Sequence, residues 1–266
     1  MNKPPIFIGG AGRSGTTLLR VILDSHPSIA CGPELKVTEV IARIWYDFQT
    51  KFAGITREYA ITQEDTNRLF ARFIEGLLEK YRIKEGKKRI AEKSPNNIRV
   101  FPHLHEIFPK SPLVHIIRDG RDVVASLLSM NWKNLDGKPM DYTRDTKKAT
   151  LFWKSAVTIG RAFAASKESA ARVYYEIKYE DIISDPEASL KPLFQFIDEP
   201  WEQAVLEYYK KRRNLAGESS ANQVSKQIYS SSVGRWASDL TTEQVDDVMD
   251  VAGDMLVDLG YIADSV

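Results

Sequence analysis

The chain has 266 residues, 43% of them hydrophobic and 27% charged, which sets it among folded globular proteins and apart from disordered or fibrous ones. A formal charge of +1 supplies no broad basic field, so neither nucleic acid nor an anionic membrane surface is implied as a general partner, and any anion binding must come from local clusters. A lone cysteine, Cys31, excludes an internal disulfide; with no charged-then-apolar leader before Pro4 and no apolar run of membrane-spanning length, the expectation is one cytoplasmic domain over residues 1–266.

The first element carries the most chemistry. Ile6, Phe7 and Ile8 read as a buried strand, the glycines after them permit a tight turn, and residues 16–24 continue with helical apolar spacing. A strand, a glycine-rich loop and a helix start aim backbone amides at one spot, at the positive end of the helix dipole, so this loop binds phosphate. The spacing Gly10-x-x-x-x-Gly15-Thr16-Thr17 matches the nucleotide-triphosphatase P-loop, except that Thr16 stands where a lysine would reach the outer phosphates. Positive charge sits inside the loop instead, on Arg13, whose planar fork holds an oxyanion at two points. No apolar strand ends in an aspartate suited to magnesium, because Leu113–Ile117 runs into Arg118. Magnesium-dependent phosphoryl transfer is therefore disfavoured.

Further along, residues 37–52 form an amphipathic helix that includes Trp45, Tyr46 and Phe48. Thr62-x-x-Asp65 reads as a capping box opening a helix through Leu69, Phe70, Phe73, Leu77 and Leu78. Residues 89–92 are a short strand ending at Lys93, Leu113–Ile117 is a second and residues 173–177 a third. Residues 146–169 read as one long helix with Leu151, Phe152, Trp153, Val157 and Ile159 on its buried side. The polar, aperiodic stretch 210–232 is a loop, and residues 241–259 close the chain as a helix. This alternation predicts a P-loop-type three-layer α/β/α fold with a central, mainly parallel sheet.

Several blocks carry a resemblance. Phe7-Ile8-Gly9-Gly10-x-x-Arg13-Ser14-Gly15-Thr16-Thr17-Leu18, Asp24-Ser25-His26-Pro27, Cys31-Gly32-Pro33-Glu34, Glu92-Lys93-Ser94-Pro95, residues 114–122, Ile177-Lys178-Tyr179-Glu180-Asp181 and Val233-Gly234-Arg235-Trp236 resemble the sulfotransferase family, and within it tyrosylprotein sulfotransferases most. The blocks occur in the family's order over nearly the whole chain. The resemblance implies in-line transfer of a sulfonate from 3′-phosphoadenosine 5′-phosphosulfate (PAPS) to an acceptor hydroxyl of a sugar, lipid, small metabolite or tyrosine, with no metal required.

It also implies roles residue by residue. Glu34 is the general base, matching the second acid of the Cys-Gly-Glu-Glu pattern, while Pro33 replaces the first and puts peptide-acceptor binding in doubt. Arg13 and Lys93 stabilise the transition state, and Ser220 donates to the donor. Arg13, Ser14, Gly15, Thr16 and Thr17 hold the 5′ end, Arg118 and Ser126 the 3′-phosphate, Tyr179 packs near the adenine and its ribose phosphate, and Arg235 keeps the cation that the family carries as lysine before Trp.

Taken alone, the residues leave plainer readings open. Glu34 could be a surface carboxylate paired with Lys36 or Arg43, Lys93 an exposed lysine, and Lys84, Lys87, Lys88 and Arg89 a solvated charge run. Arg118 and Arg121 could be ion-pair partners of Asp119 and Asp122, or Arg121 the phosphate ligand; Tyr179 could be a core-rim residue. Lys210, Lys211, Arg212 and Arg213 read as a solvated helix end or as a receiver of an acidic acceptor. The aromatic residues near Trp45 and the stretch 131–135 are open as acceptor-cleft walls or as core. A small-molecule kinase and a catalytically silent nucleotide- or glycan-binding module remain the alternative functions.

Overall fold

Five parallel strands in the order β2-β3-β1-β4-β5 form the centre of the computed structural model, which describes residues 3–134, 136–211, 213, 224 and 230–263. They are β1 Ile6–Gly9, β2 Ile29–Cys31, β3 Arg89–Lys93, β4 Leu113–Ile117 and β5 Tyr174–Lys178. β1, β3 and β4 are buried along their whole length, as expected of strands covered on both faces. The register pairs Ile8 with both Lys93 and Val114 and Gly9 with His115, so the loops after β1, β3 and β4 leave the sheet along one edge. In an open parallel sheet that edge is where ligands bind.

Alternation along β1 divides the core. Ile6 and Ile8 point to one face, where they meet Leu19 and Ile22 of α1 (Thr16–Ser25) and Leu190 and Phe194 of the helix Pro186–Phe196. Phe7 points to the other face, toward Ile41 of α2 (Val37–Thr50), Ile74 of α4 (Gln63–Lys84), which follows the short α3 (Ala53–Glu58), Leu104 of α5 (Phe101–Ile107), Val124 of α6 (Gly120–Leu128) and Trp153 of α7 (Thr146–Ser166). The layers are therefore α/β/α. Thr62 opens α4 with a complete capping box, and Thr241 does the same for the closing helix Thr242–Asp258; such caps contribute about 1 kcal/mol each.

Four details differ from the sequence expectations. The helix expected over 146–169 ends at Ser166, because Lys167 is extended (φ −164°, ψ 154°), and a separate helix Glu168–Val173 follows; β5 accordingly starts at Tyr174. Leu151 lies 54% exposed, its expected place on the buried face taken by Ala149, Ala156 and Gly160 beside Trp153 and Val157. β2 is a strand that the sequence does not signal, since three residues on a sheet edge are too few to show a period. Part of the expected 210–232 loop is described: Tyr208–Lys210 and Ser230–Ser232 are 3-10 turns.

Candidate active site

The phosphate loop is built as its glycines demand. Gly15 adopts φ 93° and Arg13 φ 74°, and a Cβ on Gly15 would lie 2.4 Å from the Tyr179 ring, so the position excludes any side chain. The turn is closed by Ser14 N–H donating to Ala11 O at 3.1 Å, after which the first amides of α1 face the loop's hollow. Thr16 and Thr17 are buried there.

Glu34 and Lys93 meet at this loop. Lys93 ends β3 and is fully buried; its Nζ donates to Glu34 Oε1 at 2.7 Å and to Thr17 Oγ1 at 3.3 Å. The Glu34 side chain is 24% exposed and lies 3.8 Å from Lys36 Nζ as well. Arg43, the other surface partner considered for it, pairs with Glu39. A carboxylate that reaches solvent from one side and a buried ammonium from the other has the placement of a base beside an oxyanion stabiliser.

Cations gather on the opposite side of the loop. Arg13 Nε donates to Ser126 Oγ at 2.9 Å, and Arg118 Nη1 donates to Arg13 O at 3.1 Å, so Arg118 folds back to the helix turn that carries Ser126. Burial pulls the Arg13 guanidinium below its ordinary pKa, and the nearby charges of Arg118 and Arg235 pull it further; an anion among the three would relieve that repulsion. Arg118 lies 4.7 Å over the Tyr179 ring and donates to Ser232 O, while Tyr179 and Ser232 share a hydroxyl hydrogen bond of 2.6 Å. Among the described residues, Ser14 Oγ and Arg118 Nε are buried without a hydrogen-bond partner. Orphaned donors of this kind cost about 1–3 kcal/mol each, which an oxyanion accepting from them would offset.

Arg121 is committed elsewhere. Its Nε and Nη2 grip Asp119 and its face stacks 4.1 Å from Trp236, leaving Arg118 as the arginine of this pair beside the loop. Asp122, fully buried, accepts Gly234 N–H and Trp236 N–H at 2.9 Å each and lies 3.5 Å from Arg118. Asp122 thereby draws the Ser232 to Trp236 stretch onto α6, a role that sequence spacing gave no means to see.

In front of the loop opens a cleft of about 630 Å³, with Arg13, Thr16, Thr17 and Glu34 on its floor and Trp132, Tyr142 and Phe152 in its wall. Tyr142 stacks on Phe152 with ring centroids 4.4 Å apart. Of the stretch 131–135, Asn131, Trp132 and Lys133 line this cleft, whereas Leu135 falls outside the described residues. Trp45 belongs to the core, its Nε1 donating to Asn67, and Tyr46 stacks on His103. Tyr142 carried no sequence signal, because the wall is assembled from segments far apart in the chain.

The family model described as "Sulfotransferase family" matches residues 4–203. The chain belongs to the sulfotransferase family. A protein-tyrosine sulfotransferase of Drosophila melanogaster is 29% identical over 97% of this chain and 52% of its own length, and protein-tyrosine sulfotransferase A of Caenorhabditis elegans is 29% identical over 97% of this chain and 67% of its own. The chain thus spans about half of the fly protein. Among solved structures, the sulfotransferase domain of the Synechococcus PCC 7002 olefin synthase superposes with a TM-score of 0.65 at 21% identity, covering 95% of both chains. A mouse sulfotransferase solved in complex with PAP superposes with a TM-score of 0.61 at 15% identity, covering 97% of this chain and 86% of that one. At these identities the structures show that the fold is shared.

The other residues expected at the site differ in where they stand. Ser220 lies outside the described residues, as do most of the stretch 219–226 and Arg212. Arg235 pairs with Asp239 at the start of the turn Trp236–Asp239. Two members of the basic cluster depart from a solvated helix end: Lys211 Nζ and Arg213 Nε bind Asp24 Oδ2 at 2.8 and 2.7 Å, whereas Lys210 is exposed and pairs with Glu207. Nor are Lys87 and Arg89 part of a solvated run, since Lys87 Nζ donates to the carbonyls of Asp24, His26 and Ile29, and Arg89 is buried against Glu199.

Proposed function

We propose that this chain, acting as one sulfotransferase domain over residues 1–266, transfers the sulfonate of PAPS to an acceptor hydroxyl in the aromatic-walled cleft. The observation that carries the reading is the 2.7 Å contact of Glu34 with Lys93 at the rim of an arginine-bearing phosphate loop. Glu34 takes the proton of the acceptor hydroxyl as its oxygen bonds to sulfur; the bond from sulfur to the bridging oxygen breaks, and PAP leaves with that electron pair. Lys93 and Arg13 neutralise the charge growing on the bridging and sulfonate oxygens. Arg118 and Ser126 hold the 3′-phosphate, Ser14 to Thr17 the 5′ end, Tyr179 the adenosine side and Arg235 the outer rim, with Ser220 as a further donor.

The PAP bound to the mouse neighbour and the orphaned Ser14 and Arg118 donors support this choice of nucleotide. The fly and worm relatives carry tyrosine in their names, and the Trp132, Tyr142 and Phe152 wall suits a flat acceptor; sugars, lipids and small metabolites stay within the panel because Pro33 replaces an acid of the tyrosylprotein pattern. No helix among the described residues is long and apolar enough to cross a membrane. A cytoplasmic location is part of the proposal, supported by a single buried Cys31 with no second cysteine to pair with. Calorimetric titration of PAP against ADP with magnesium tests it: PAP binds more tightly, and magnesium has no effect on that affinity. Tighter binding of ADP with magnesium would favour phosphoryl transfer.

A further inference from the structure

Glu92 precedes Lys93 in β3, is 3% exposed, and takes no part in the transfer described above. Its carboxylate accepts the Ser94 hydroxyl at 2.7 Å on one oxygen and Asn97 Nδ2 at 2.5 Å on the other. Ser94 Oγ in turn accepts Lys36 N–H at 3.2 Å, and Asn97 Nδ2 also donates to Ile8 O at 3.1 Å, tying the group to the strand that feeds the phosphate loop. Consecutive strand residues point to opposite faces, yet both reach one turn: Lys93 grips the Glu34 side chain, and Glu92, through Ser94, holds the Lys36 backbone just beyond it. Lys36 adopts φ 58°, a left-handed conformation that a lysine keeps only when its surroundings impose it.

We propose that Glu92 is a positioning residue, clamping the turn at residues 34–36 to β3 and so setting the Glu34 carboxylate at its distance from Lys93. The proposal rests on the reading of Glu34 as the base. Burial pushes the Glu92 carboxyl up, and the hydrogen bonds from Asn97 and Ser94 act against that push.

Two measurements test it. In Glu92→Ala, amide exchange at residues 34–36 accelerates by about tenfold or more, while exchange in β1 and α1 and the Kd for PAP stay within about twofold. With labelled PAPS and the acceptor that wild type uses best, kcat falls by about 30- to 300-fold at an unchanged donor KM; Glu92→Gln restores most of it, keeping one acceptor oxygen while the Ser94 hydroxyl turns to meet the amide. The Glu92→Ala loss vanishes in a Glu34→Gln background, because the clamp acts through Glu34. Unchanged exchange at residues 34–36, an equal loss in both backgrounds, or a parallel loss of PAP binding overturns the clamp. Should Glu92→Ala not fold, Ser94→Ala breaks the link from Glu92 to Lys36 while leaving the Asn97 bond to Glu92, and must still accelerate exchange of the Lys36 amide. Absence of any transfer by wild type would count against the sulfotransferase reading, whereas the exchange measurement needs no acceptor and decides the clamp by itself.

Discussion

Lys93 Nζ stands 2.7 Å from Glu34 Oε1 and 3.3 Å from Thr17 Oγ1, so one buried ammonium joins the proposed base to the phosphate loop. In the proposed transfer this one charge faces both the carboxylate and the donor's bridging oxygen, which couples donor binding to the readiness of the base. Lys93→Ala is therefore expected to lower kcat by about 10²–10³ and to weaken PAPS binding, because both functions pass through one group. Steady-state kinetics with labelled donor check this; a variant with unchanged kcat would remove Lys93 from the chemistry.

Much of this was legible in the chain. The loop from Gly10 to Thr17 announced itself because only glycine fits Gly15 and because a strand, turn and helix start at that spacing converge on one hollow. β3 and β4 were visible as short apolar runs, with their terminal Lys93 and Arg118 at the sheet edge. What the chain could not show are contacts made by segments distant in sequence: the Tyr142 and Phe152 stack, Asp122 holding Gly234, and Asp24 gathering Lys211 and Arg213. Lys211 and Arg213 look solvated in sequence because their partner, Asp24, lies on a helix far away in the chain.

In the proposed reading, Arg118 beside the loop sets nucleotide preference. Charge-assisted hydrogen bonds contribute about 1.5–3 kcal/mol, so Arg118→Gln should weaken PAP binding by about 10- to 100-fold while changing the affinity for adenosine 5′-phosphate far less. Calorimetry with both nucleotides measures the difference. Equal losses would show that Arg118 supports the loop as a whole through its bonds to Arg13 O and Ser232 O.

Gly15 tests the loop's shape. At φ 93°, with Tyr179 Cδ2 only 2.4 Å from where a Cβ would stand, Gly15→Ala is expected to cost about 1–3 kcal/mol of stability and at least about tenfold in PAP affinity. Denaturant unfolding and PAP titration read the two effects separately. Full retention of both would mean that Tyr179 does not pack as described.

Acid should weaken the fold before it reaches the carboxylates. Burial pushes His115 down to about 4, against the favourable pull of Glu176, and its ring shares a 2.6 Å hydrogen bond with Tyr174. Because the folded state resists protonation of this ring, its contribution is complete above about pH 6.5 and drains away as pH falls toward 4. His26, His103 and His105 are also shifted down by burial and act in the same direction. Thermal unfolding from pH 7.5 to 4 should show a falling Tm, and His115→Gln should flatten that fall. A slope identical in wild type and variant would assign it to other groups.

The most direct test follows labelled sulfonate from PAPS to an acceptor panel in wild type and Glu34→Gln, with PAP affinity measured on both. Wild type is expected to label an acceptor hydroxyl, and Glu34→Gln to bind PAP within about twofold of wild type yet transfer about 10²–10⁴ times more slowly. Transfer by Glu34→Gln at the wild-type rate would contradict the assignment of that carboxylate as the base, and with it the mechanism drawn from this site.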